Sequence, residues 1–363
     1  MEDSSMSDSL RIKSLFRNYE VNFIEDFTQP LRGLVDQHAF FIIDSIVWDI
    51  YKAKMKGLIP DSRLLIVEGN ENNKSLDKCR EIIETIVNIK LRRNEKLVAV
   101  GGGIIQDVTA FSASIIYRGI EWAFFPTTLL AQADSCIGSK TSINLGGKKN
   151  LIGNFYPPSD VFIDTTFLNS LTVDDIKSGI GEILHYYIYA ASPLFDELIS
   201  NYEMIISDRD LAIKHIRKSL KIKKSVIEND EFDRGERNKF NYGHTFGHAI
   251  ESVTDYAIKH GQAVTVGMDL ANYVSKKLGF MGPEIFQNLH SKLIINFPEF
   301  VWKEINLDRY FDLLSKDKKN IGSSVGCILA KDSGDLFKQQ LSMDNHFKEM
   351  IHAYFAEQVP IGK

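Results

Sequence analysis

Imidazole and carboxylate side chains occur in this chain at spacings that suit a metal ion. His244 and His248 are four residues apart in NYGHTFGHAI, which places them on one face of a helix. His260 follows twelve residues after His248, and Glu182 lies upstream among apolar neighbours. Imidazoles with one carboxylate and no thiolate are typical of a catalytic Zn²⁺ that keeps one position open for a substrate oxygen. The residue types alone leave open which two histidines bind the metal.

Glycine loops, two of them with lysines, predict sites for anionic groups. Gly101-Gly102-Gly103 follows an apolar run and precedes a helical pattern, as a pyrophosphate-binding loop does, although Gln106 breaks the usual GxGxxG fingerprint. The segments GSKT, with Lys140, and GGKKN, with Lys148 and Lys149, combine backbone donors with cations, which suits a second phosphate or a carboxylate. A simpler interpretation is a tight turn for the glycine triplet and a solvated loop with ordinary surface lysines for the other two segments.

The elements that must position these residues change in character along the chain. Phe40–Ile43, Leu64–Val67 and Leu97–Val100 have the composition of strands, and Leu76–Arg93 has the apolar rhythm of a helix. This alternation predicts βαβ units and a mostly parallel, Rossmann-like sheet. After Asp175 helical patterns dominate. We therefore expect an α/β N-terminal domain at residues 10–174 and an all-α C-terminal domain at residues 175–363.

The composition excludes several classes of protein. The chain of 363 residues is 44% hydrophobic and 25% charged, which is typical of a soluble globular protein. Its formal net charge of −5 gives no general attraction to nucleic acid or to an anionic membrane, so we expect neither as a partner. The start MEDSSMSDS does not resemble a signal peptide, and no apolar run reaches the length of about 18 residues that spans a membrane. A cytoplasmic location is expected.

Together the motifs resemble the 3-dehydroquinate synthase family of sugar-phosphate cyclases. The resemblance runs from about Asp44 to Lys319 and rests on PTTLLAQADS, GSKTSIN, GGKKNLIG, NYGHTFGHAIE and HGQAV in that order. It implies NAD and Zn²⁺ as cofactors, with NAD bound by the N-terminal domain and the metal and substrate bound by the C-terminal domain. It also implies a homodimer, and a small-molecule substrate such as 3-deoxy-arabino-heptulosonate 7-phosphate that is oxidised, loses phosphate, is reduced and closes by an aldol step.

The same resemblance implies roles for individual residues. The implied metal ligands are Glu182, His244 and His260. The implied substrate contacts are Asp134, Lys140, Lys149, Asn150, His185, Lys223, Arg237, Asn241 and His248. Arg118 matches an arginine donated across a dimer interface, and a lysine of Asp317-Lys318-Lys319, for which we take Lys319, matches one that reaches the phosphate. The implied NAD contacts are Asp44, Glu71, Lys74, Gly102, Gly103, Asp107, Thr127 and Thr128.

Two departures from the family pattern bear on the substrate. His185 stands where the family usually has a substrate-contacting lysine, and Gln106 replaces a glycine of the cofactor loop. Arg237 and Asn241 are retained, which favours an acidic substrate. The alternatives are a specialised-pathway cyclase for another sugar phosphate, a metal-dependent polyol dehydrogenase of the glycerol dehydrogenase type, and a non-catalytic relative that binds NAD or a sugar phosphate.

Overall fold

The computed structural model of the chain describes residues 9–146, 148–205, 207–316, 320 and 324–359, which divide into two units. The first unit lies within Met1–Leu171 and Lys223–Phe232, and the second within Thr172–Ile222 and Asp233–Lys363. The division of the chain at residues 174 and 175 into a cofactor-binding and a metal-binding domain stays a prediction.

The strands and helices of the first unit alternate along the chain. The strands are β1 (Ser9–Ile12), β2 (Tyr19–Ile24), β3 (Phe40–Asp44), β4 (Leu64–Val67), β5 (Leu97–Gly101), β6 (Trp122–Pro126), β7 (Ile143–Leu145), β8 (Lys148–Ile152) and β9 (Asp160–Asp164). The helices are α1 (Thr28–Asp36), α2 (Ser45–Met55), α3 (Leu76–Asn88) and α4 (Gly103–Ile115). The strands predicted at 40–43, 64–67 and 97–100 are confirmed, and the helix predicted at 76–93 ends earlier, at Asn88.

The main sheet has the strand order β1–β2–β9–β6–β5–β3–β4. Its pairs are parallel except β1 with β2, and β7 with β8 forms a separate antiparallel hairpin. Residues Phe40–Ile43 of β3 and all of β5 are buried. A parallel sheet covered on both faces requires such continuous apolar strands, whereas a half-exposed strand alternates. The mostly parallel α/β architecture is therefore confirmed.

The direction in which the sheet grows reverses at β3. β4 pairs with one side of β3, and β5, the next strand in sequence, pairs with the other. In open α/β sheets the connections that leave two such strands diverge, and ligands bind at their carboxyl ends. Gly101 at the end of β5 lies against Asp44 at the end of β3, since a Cβ at Gly101 would be 3.3 Å from that of Asp44. The predicted cofactor loop is thus at the switch point.

The second unit is mostly helical. Its helices are α5 (Val173–Tyr189), α6 (Leu194–Ser200), α7 (Arg209–Ile227), α8 (His244–Val253), α9 (His260–Lys277), α10 (Pro283–Leu293), α11 (Leu307–Ser315) and α12 (Asn345–Glu357), and the residues of α7 from Lys223 onward belong to the first unit. Thr172 caps α5, because its hydroxyl accepts a hydrogen bond from the backbone N–H of Asp175 at 3.2 Å. Every residue of α9 from Gly261 to Ser275 is buried, which makes this helix the centre of the unit.

The expectation of an all-α second domain is wrong. Strands β10 (Ser324–Asp332) and β11 (Asp335–Ser342) form an antiparallel hairpin. The run Val325–Ala330 is entirely buried and packs against α9 and α11, so it lacks the polar alternation of a half-exposed strand. A short buried apolar run has the same composition in a strand and in a helix, which is why periodicity did not separate them.

No helix among the described ranges is both long and apolar enough to cross a lipid bilayer.

A buried carboxylate on α9 links this helix to two others. Asp269 Oδ2 lies 2.9 Å from Nδ1 of His290 on α10 and accepts a 2.8 Å hydrogen bond from the hydroxyl of Tyr354 on α12. The hydrogen bond with Asp269 raises the pKa of His290 above its ordinary value of 6.5, although burial and the charge of Lys276 oppose the shift. The charged pair therefore contributes to stability while His290 is protonated.

We expect the His290→Gln variant to lose stability in a pH-dependent way. Because the pKa of His290 is raised on folding, the contribution of its charge is fully present below the ordinary pKa of 6.5 and is lost as the pH rises through the raised value. Urea unfolding at about pH 6 and about pH 9 should give a larger loss of the free energy of unfolding at the lower pH. Equal losses at both pH values would contradict this role.

Candidate functional site

A carboxylate and two imidazoles converge within the second unit. Glu182 on α5, His244 at the start of α8 and His260 at the start of α9 have ligand atoms within 4.8 Å of one another. Glu182 Oε1 lies 3.1 Å from His260 Nε2 and 3.6 Å from His244 Nε2. Two donors that bind one tetrahedral zinc ion at about 2.1 Å lie about 3.4 Å apart, so these distances fit a shared divalent ion. The structure therefore brings the predicted metal ligands together.

Hydrogen bonds on the far side of each imidazole determine which nitrogen faces the cluster. His244 Nδ1 lies 3.1 Å from the carbonyl oxygen of Tyr242, and His260 Nδ1 lies 3.0 Å from Oε2 of Glu251. In both rings Nδ1 can donate to its oxygen, which leaves the Nε2 lone pair directed at Glu182. This arrangement is the one that histidines use when they bind a metal through Nε2.

The electrostatics of the cluster favour a cation. Burial would raise the pKa of Glu182, but the imidazoles of His244 and His260 hold it well below its usual range. Burial likewise opposes a charge on His260, yet the carboxylates of Glu251 and Glu182 raise its pKa to about 10. The two carboxylates that favour a proton on His260 would also favour a divalent metal ion. The donor set fits such an ion in composition, spacing and charge.

Helices α5 and α9 meet at glycines that adjoin two of these groups. A Cβ on Gly181, next to Glu182, would overlap the carbonyl oxygen of Gly261. A Cβ on Gly261, next to His260, would overlap the carbonyl oxygen of Ser178. The backbones of the two helices are therefore in direct contact, which only glycine permits. This contact fixes the distance between Glu182 and His260.

Helices α8 and α9 meet in the same way. Gly243, next to His244, has a φ of +77°, and its carbonyl oxygen would be overlapped by a Cβ on Gly267. Position 243 requires glycine for two reasons: its backbone is left-handed, and a Cβ there would lie 2.7 Å from the carbonyl oxygen of Val264. All three candidate ligands thus adjoin a glycine in a helix-to-helix backbone contact.

Two further histidines flank the cluster. The ring of His248 lies 5.5 Å from that of His244 and 5.6 Å from that of His260, centroid to centroid, and is partly exposed. The ring of His185 is fully buried and lies 5.3 Å from that of His244 and 6.1 Å from that of Tyr242. His248 therefore borders the cluster from the accessible side, whereas His185 packs behind His244.

The predicted cofactor contacts of the first unit gather at the carboxyl edge of its sheet. Asp44 ends β3, and the other positions lie in the segments that follow β4, β5 and β6, namely Glu71, Lys74, Gly102, Gly103, Asp107, Thr127 and Thr128. Gly102 precedes α4 without a side-chain cap, so backbone N–H groups of the first turn face the edge, as a pyrophosphate requires. These residues fit a dinucleotide. Asp44 also caps α2 by accepting from Ile46 N at 2.9 Å, and burial raises its pKa.

Residues predicted to contact the cofactor and the substrate bond to each other in the first unit. Lys74 Nζ lies 2.7 Å from Asp107 Oδ2 and 2.8 Å from Asn150 Oδ1. Glu71 Oε1 lies 3.7 Å from Lys149 Nζ. The two predicted sets are therefore contiguous, and a ligand that engages one of them would alter the charge balance of the other.

Asn144 holds this network together and was not predicted as a site residue. Its side chain accepts from the backbone N–H of Asn150 at 3.0 Å and donates to Oε1 of Glu71 at 2.8 Å. Its backbone N–H donates to the carbonyl oxygen of Lys74 at 2.9 Å. Its residue type alone gave no signal of this role, which comes from the pairing of β7 with β8, the strand that carries Lys148, Lys149 and Asn150.

Asp134 lies on the π-helical turn Ala131–Ser135 and forms an ion pair with Lys223 at 2.8 Å. The adjoining Ser135 exchanges two hydrogen bonds of 2.6 Å with the buried side chain of Gln106, one through its carbonyl oxygen and one through its hydroxyl. Gln106 therefore links α4 and its glycine loop to the turn that carries Asp134.

Two predicted basic residues are exposed and lie next to or within left-handed backbone. Lys140 follows Ser139, whose φ is +65° and whose hydroxyl donates to the buried carboxylate of Glu231 at 2.9 Å. Arg118 lies in the run Tyr117–Gly119, where all three φ angles are positive. Non-glycine residues adopt such angles at a cost of about 1–3 kcal/mol each, so the surrounding structure must hold both loops in place.

The remaining predicted substrate residues lie in the second unit or outside the described ranges. Arg237 is buried in the 3₁₀ turn Glu236–Asn241, directly before α8. Asn241 ends that turn, and its amide donates to the carbonyl oxygen of Asn238 at 2.9 Å. Lys319 and Lys318 are outside the residues that the structure describes.

The sequence matches one family over most of its length. Residues 64–178 match the family described as 3-dehydroquinate synthase N-terminal, and residues 179–320 match that described as 3-dehydroquinate synthase C-terminal. The 3-dehydroquinate synthase of Dictyoglomus turgidum is 38% identical over 312 residues, which cover 84% of this chain and 87% of that protein.

Two solved structures share the fold. The 2-deoxy-scyllo-inosose synthase complexed with carbaglucose-6-phosphate, NAD⁺ and Co²⁺ has a TM-score of 0.82 at 24% identity and covers 97% of this chain and 100% of that one. The 2-epi-5-epi-valiolone synthase from Streptomyces hygroscopicus subsp. jinggangensis, with NAD⁺ and Zn²⁺ bound, has a TM-score of 0.82 at 20% identity. The match covers 96% of this chain and 99% of that one.

We expect the Gly261→Ala variant to separate α5 from α9. Its methyl group would overlap the carbonyl oxygen of Ser178, so the free energy of unfolding should fall by about 1–3 kcal/mol and zinc affinity should fall with it. The control is Gly33→Ala on the exposed face of α1, where a Cβ meets nothing within 4 Å, so stability should rise slightly. Denaturant unfolding and zinc titration check both, and an unaltered Gly261→Ala protein would refute the backbone contact.

Proposed function

Because the chain belongs to the 3-dehydroquinate synthase family, we propose that it is an NAD- and zinc-dependent sugar-phosphate cyclase. Its substrate is a phosphorylated keto-sugar acid such as 3-deoxy-arabino-heptulosonate 7-phosphate. The reaction comprises oxidation, phosphate elimination, reduction and intramolecular aldol closure. The observation that supports this most is the convergence of Glu182, His244 and His260 at distances that suit one divalent ion.

The cofactors are proposed from the relatives and from the fit of the residues. The two related synthases are described with NAD⁺ and with Co²⁺ or Zn²⁺. When bound, the nicotinamide accepts and returns a hydride, and the metal ion makes a substrate hydroxyl more acidic. The loop at Gly102 and Gly103 would hold the pyrophosphate, and Asp44 would accept from a ribose hydroxyl.

The chain's own charged groups would bind and orient the substrate. Lys140, Lys149 and Asn150 offer cationic and amide donors for the phosphate. Arg237, whose planar guanidinium suits a two-point contact, would hold the carboxylate. Asp134 and Lys223 form one acceptor–donor pair, which matches a polyol chain in which each hydroxyl both donates and accepts.

Proton removal next to the transient ketone needs a base close to the leaving group. We propose that an oxygen of the departing phosphate takes this proton while Lys140, Lys149 and Asn150 hold the phosphate in place. The lysines stabilise the charge that develops on the phosphate as its bond to carbon breaks. The protein's main contribution is then orientation and fixed charge rather than a dedicated basic side chain.

Arg118 motivates a proposal about assembly. Its exposed position within three successive left-handed residues directs a cation outward at a conformational cost. We propose that the chain forms a homodimer in which Arg118 completes the phosphate site of the second copy.

His185 separates the favoured substrate from the alternative one. The family lysine would present an ammonium group on a long chain, whereas the buried imidazole of His185 packs against the ring of His244. The site would therefore suit a substrate that needs no cationic side chain at position 185 better than one that does. A different acidic sugar phosphate from a specialised pathway is therefore the second candidate.

Phosphate release and product mass from 3-deoxy-arabino-heptulosonate 7-phosphate test the proposal directly. We expect catalytic NAD⁺ and Zn²⁺ to support dehydroquinate formation without net NADH. Stoichiometric NADH would instead indicate a dehydrogenase. No turnover by protein that binds zinc and NAD would exclude this substrate and direct attention to His185.

We expect Lys140→Ala to weaken the sugar phosphate far more than NAD. Removing one charged donor costs about 1.5–3 kcal/mol, so KM for the sugar phosphate should rise by about 10- to 100-fold while the Kd for NAD stays unchanged. Lys56→Ala, which removes an exposed lysine of the same unit that belongs to none of the predicted binding segments, serves as the control. Equal losses for substrate and cofactor would contradict the role of Lys140.

A further inference from the structure

His260 lies between two carboxylates, one at each ring nitrogen. Glu182 Oε1 is 3.1 Å from Nε2, and Glu251 Oε2 is 3.0 Å from Nδ1. Glu251 is on α8, seven residues after His244, and it is buried. Glu251 ends the motif NYGHTFGHAIE, but neither the roles implied by the resemblance nor the proposed reaction uses its carboxylate, so its burial beside a candidate ligand needs a separate explanation.

Within the part of the chain that the structure describes, the geometry allows two overlapping sets of metal donors. One consists of Glu182, His244 and His260, and the other of His248, Glu251 and His260. The two sets require opposite nitrogens of His260, so the same ring cannot bind one ion in both ways. The roles of the two carboxylates therefore depend on which nitrogen is the ligand.

The surroundings of His244 decide between the sets. The carbonyl oxygen of Tyr242 lies at its Nδ1, so its Nε2 is the nitrogen that can bind a metal, and this atom is 3.6 Å from Glu182 Oε1. The distances of 3.1 and 3.6 Å in the first set lie on either side of the roughly 3.4 Å expected between two donors of one tetrahedral ion. The 3.0 Å distance from His260 Nδ1 to Glu251 is that of an ordinary hydrogen bond.

We propose that Glu251 is a positioning residue that holds His260 from behind. Nδ1–H of His260 donates to Glu251, which fixes the ring plane, selects the tautomer with a lone pair on Nε2 and makes that nitrogen a better donor. The inference rests on the metal-binding role proposed for His260. The carboxylate of Glu251 accepts from Nδ1 of His260 just as the carbonyl oxygen of Tyr242 accepts from Nδ1 of His244. The difference is that Glu251 carries a full negative charge, whereas the carbonyl group is only a dipole.

Zinc affinity, measured by competition with a chromophoric chelator, tests the proposal without an activity assay. We expect Glu251→Gln, which keeps the size and an acceptor oxygen but removes the charge, to weaken zinc binding by about 10- to 100-fold. Glu251→Asp, which keeps the charge but shortens the side chain by one methylene group, should lose less zinc affinity. Glu182→Gln and His244→Ala, which remove proposed ligands, should lose more zinc affinity than either Glu251 variant.

Asp269→Asn provides a matched control. Asp269 is also a buried carboxylate of this unit that lies at hydrogen-bond distance from the Nδ1 of a histidine, His290 at 2.9 Å, but that histidine belongs to neither donor set. We expect this variant to lose stability and to keep the zinc affinity of the unmodified chain. A similar loss of zinc affinity in Asp269→Asn and Glu251→Gln would show that Glu251 acts only through stability, and would overturn the proposal.

Three further outcomes would also overturn it. Unchanged zinc affinity in Glu251→Gln would show that the hydrogen bond does not support the ligand. A loss as large as that of His244→Ala, with an altered visible spectrum of the Co²⁺ form, would make Glu251 a ligand itself. Both leave the proposed function standing, whereas an unmodified chain that binds no zinc would overturn the proposed function together with this inference.

Discussion

The contact of α5 and α8 with α9 at the level of the backbone is the constraint on which the candidate metal site depends. Gly181 and Gly261 bring α5 against α9, and Gly243 and Gly267 bring α8 against it. Each glycine of the first pair, and Gly243 of the second, is the immediate neighbour of a candidate ligand. A side chain at any of these positions would move a donor atom by more than the few tenths of an ångström that a metal site tolerates. The close packing of these helices therefore also determines the geometry of the candidate ligands.

The first unit reaches comparable order by a different route. Many of its candidate residues lie in segments at the carboxyl edge of a parallel sheet, where backbone contacts such as that of Asn144 N–H with the carbonyl oxygen of Lys74 are supplemented by side chains. Hydrogen bonds between these side chains hold the segments together. Asn144 forms hydrogen bonds with both Glu71 and Asn150. Lys74 bonds to both Asp107 and Asn150. Gln106 on α4 forms hydrogen bonds with the turn that carries Asp134. Residues that would meet the cofactor are consequently bonded to residues that would meet the substrate.

The parts of this structure that the sequence predicted are those with a local signal. The strands at Phe40 and Leu97 are continuous apolar runs, and the glycine loop after Gly101 marks the end of one of them. The hairpin at Ser324–Ser342 was missed because full burial removes alternation from its first strand. Family motifs, and not spacing, led from three histidines to the choice of His244 and His260. Glu251 and Asn144 end the motifs NYGHTFGHAIE and GSKTSIN, but residue type alone assigned them no role, because their importance comes from what lies opposite them in space.

The distribution of the donor groups along the chain has a consequence for how the protein is made. Glu182, His244 and His260 come from three helices, and the last of these is synthesised well after the first. No short segment of a nascent chain holds a complete donor set, in contrast to zinc fingers, in which neighbouring ligands capture the ion and thereby fold the peptide. In the proposed metal site the ion would therefore bind after α9 has docked, rather than draw the ligands of an unfolded segment together.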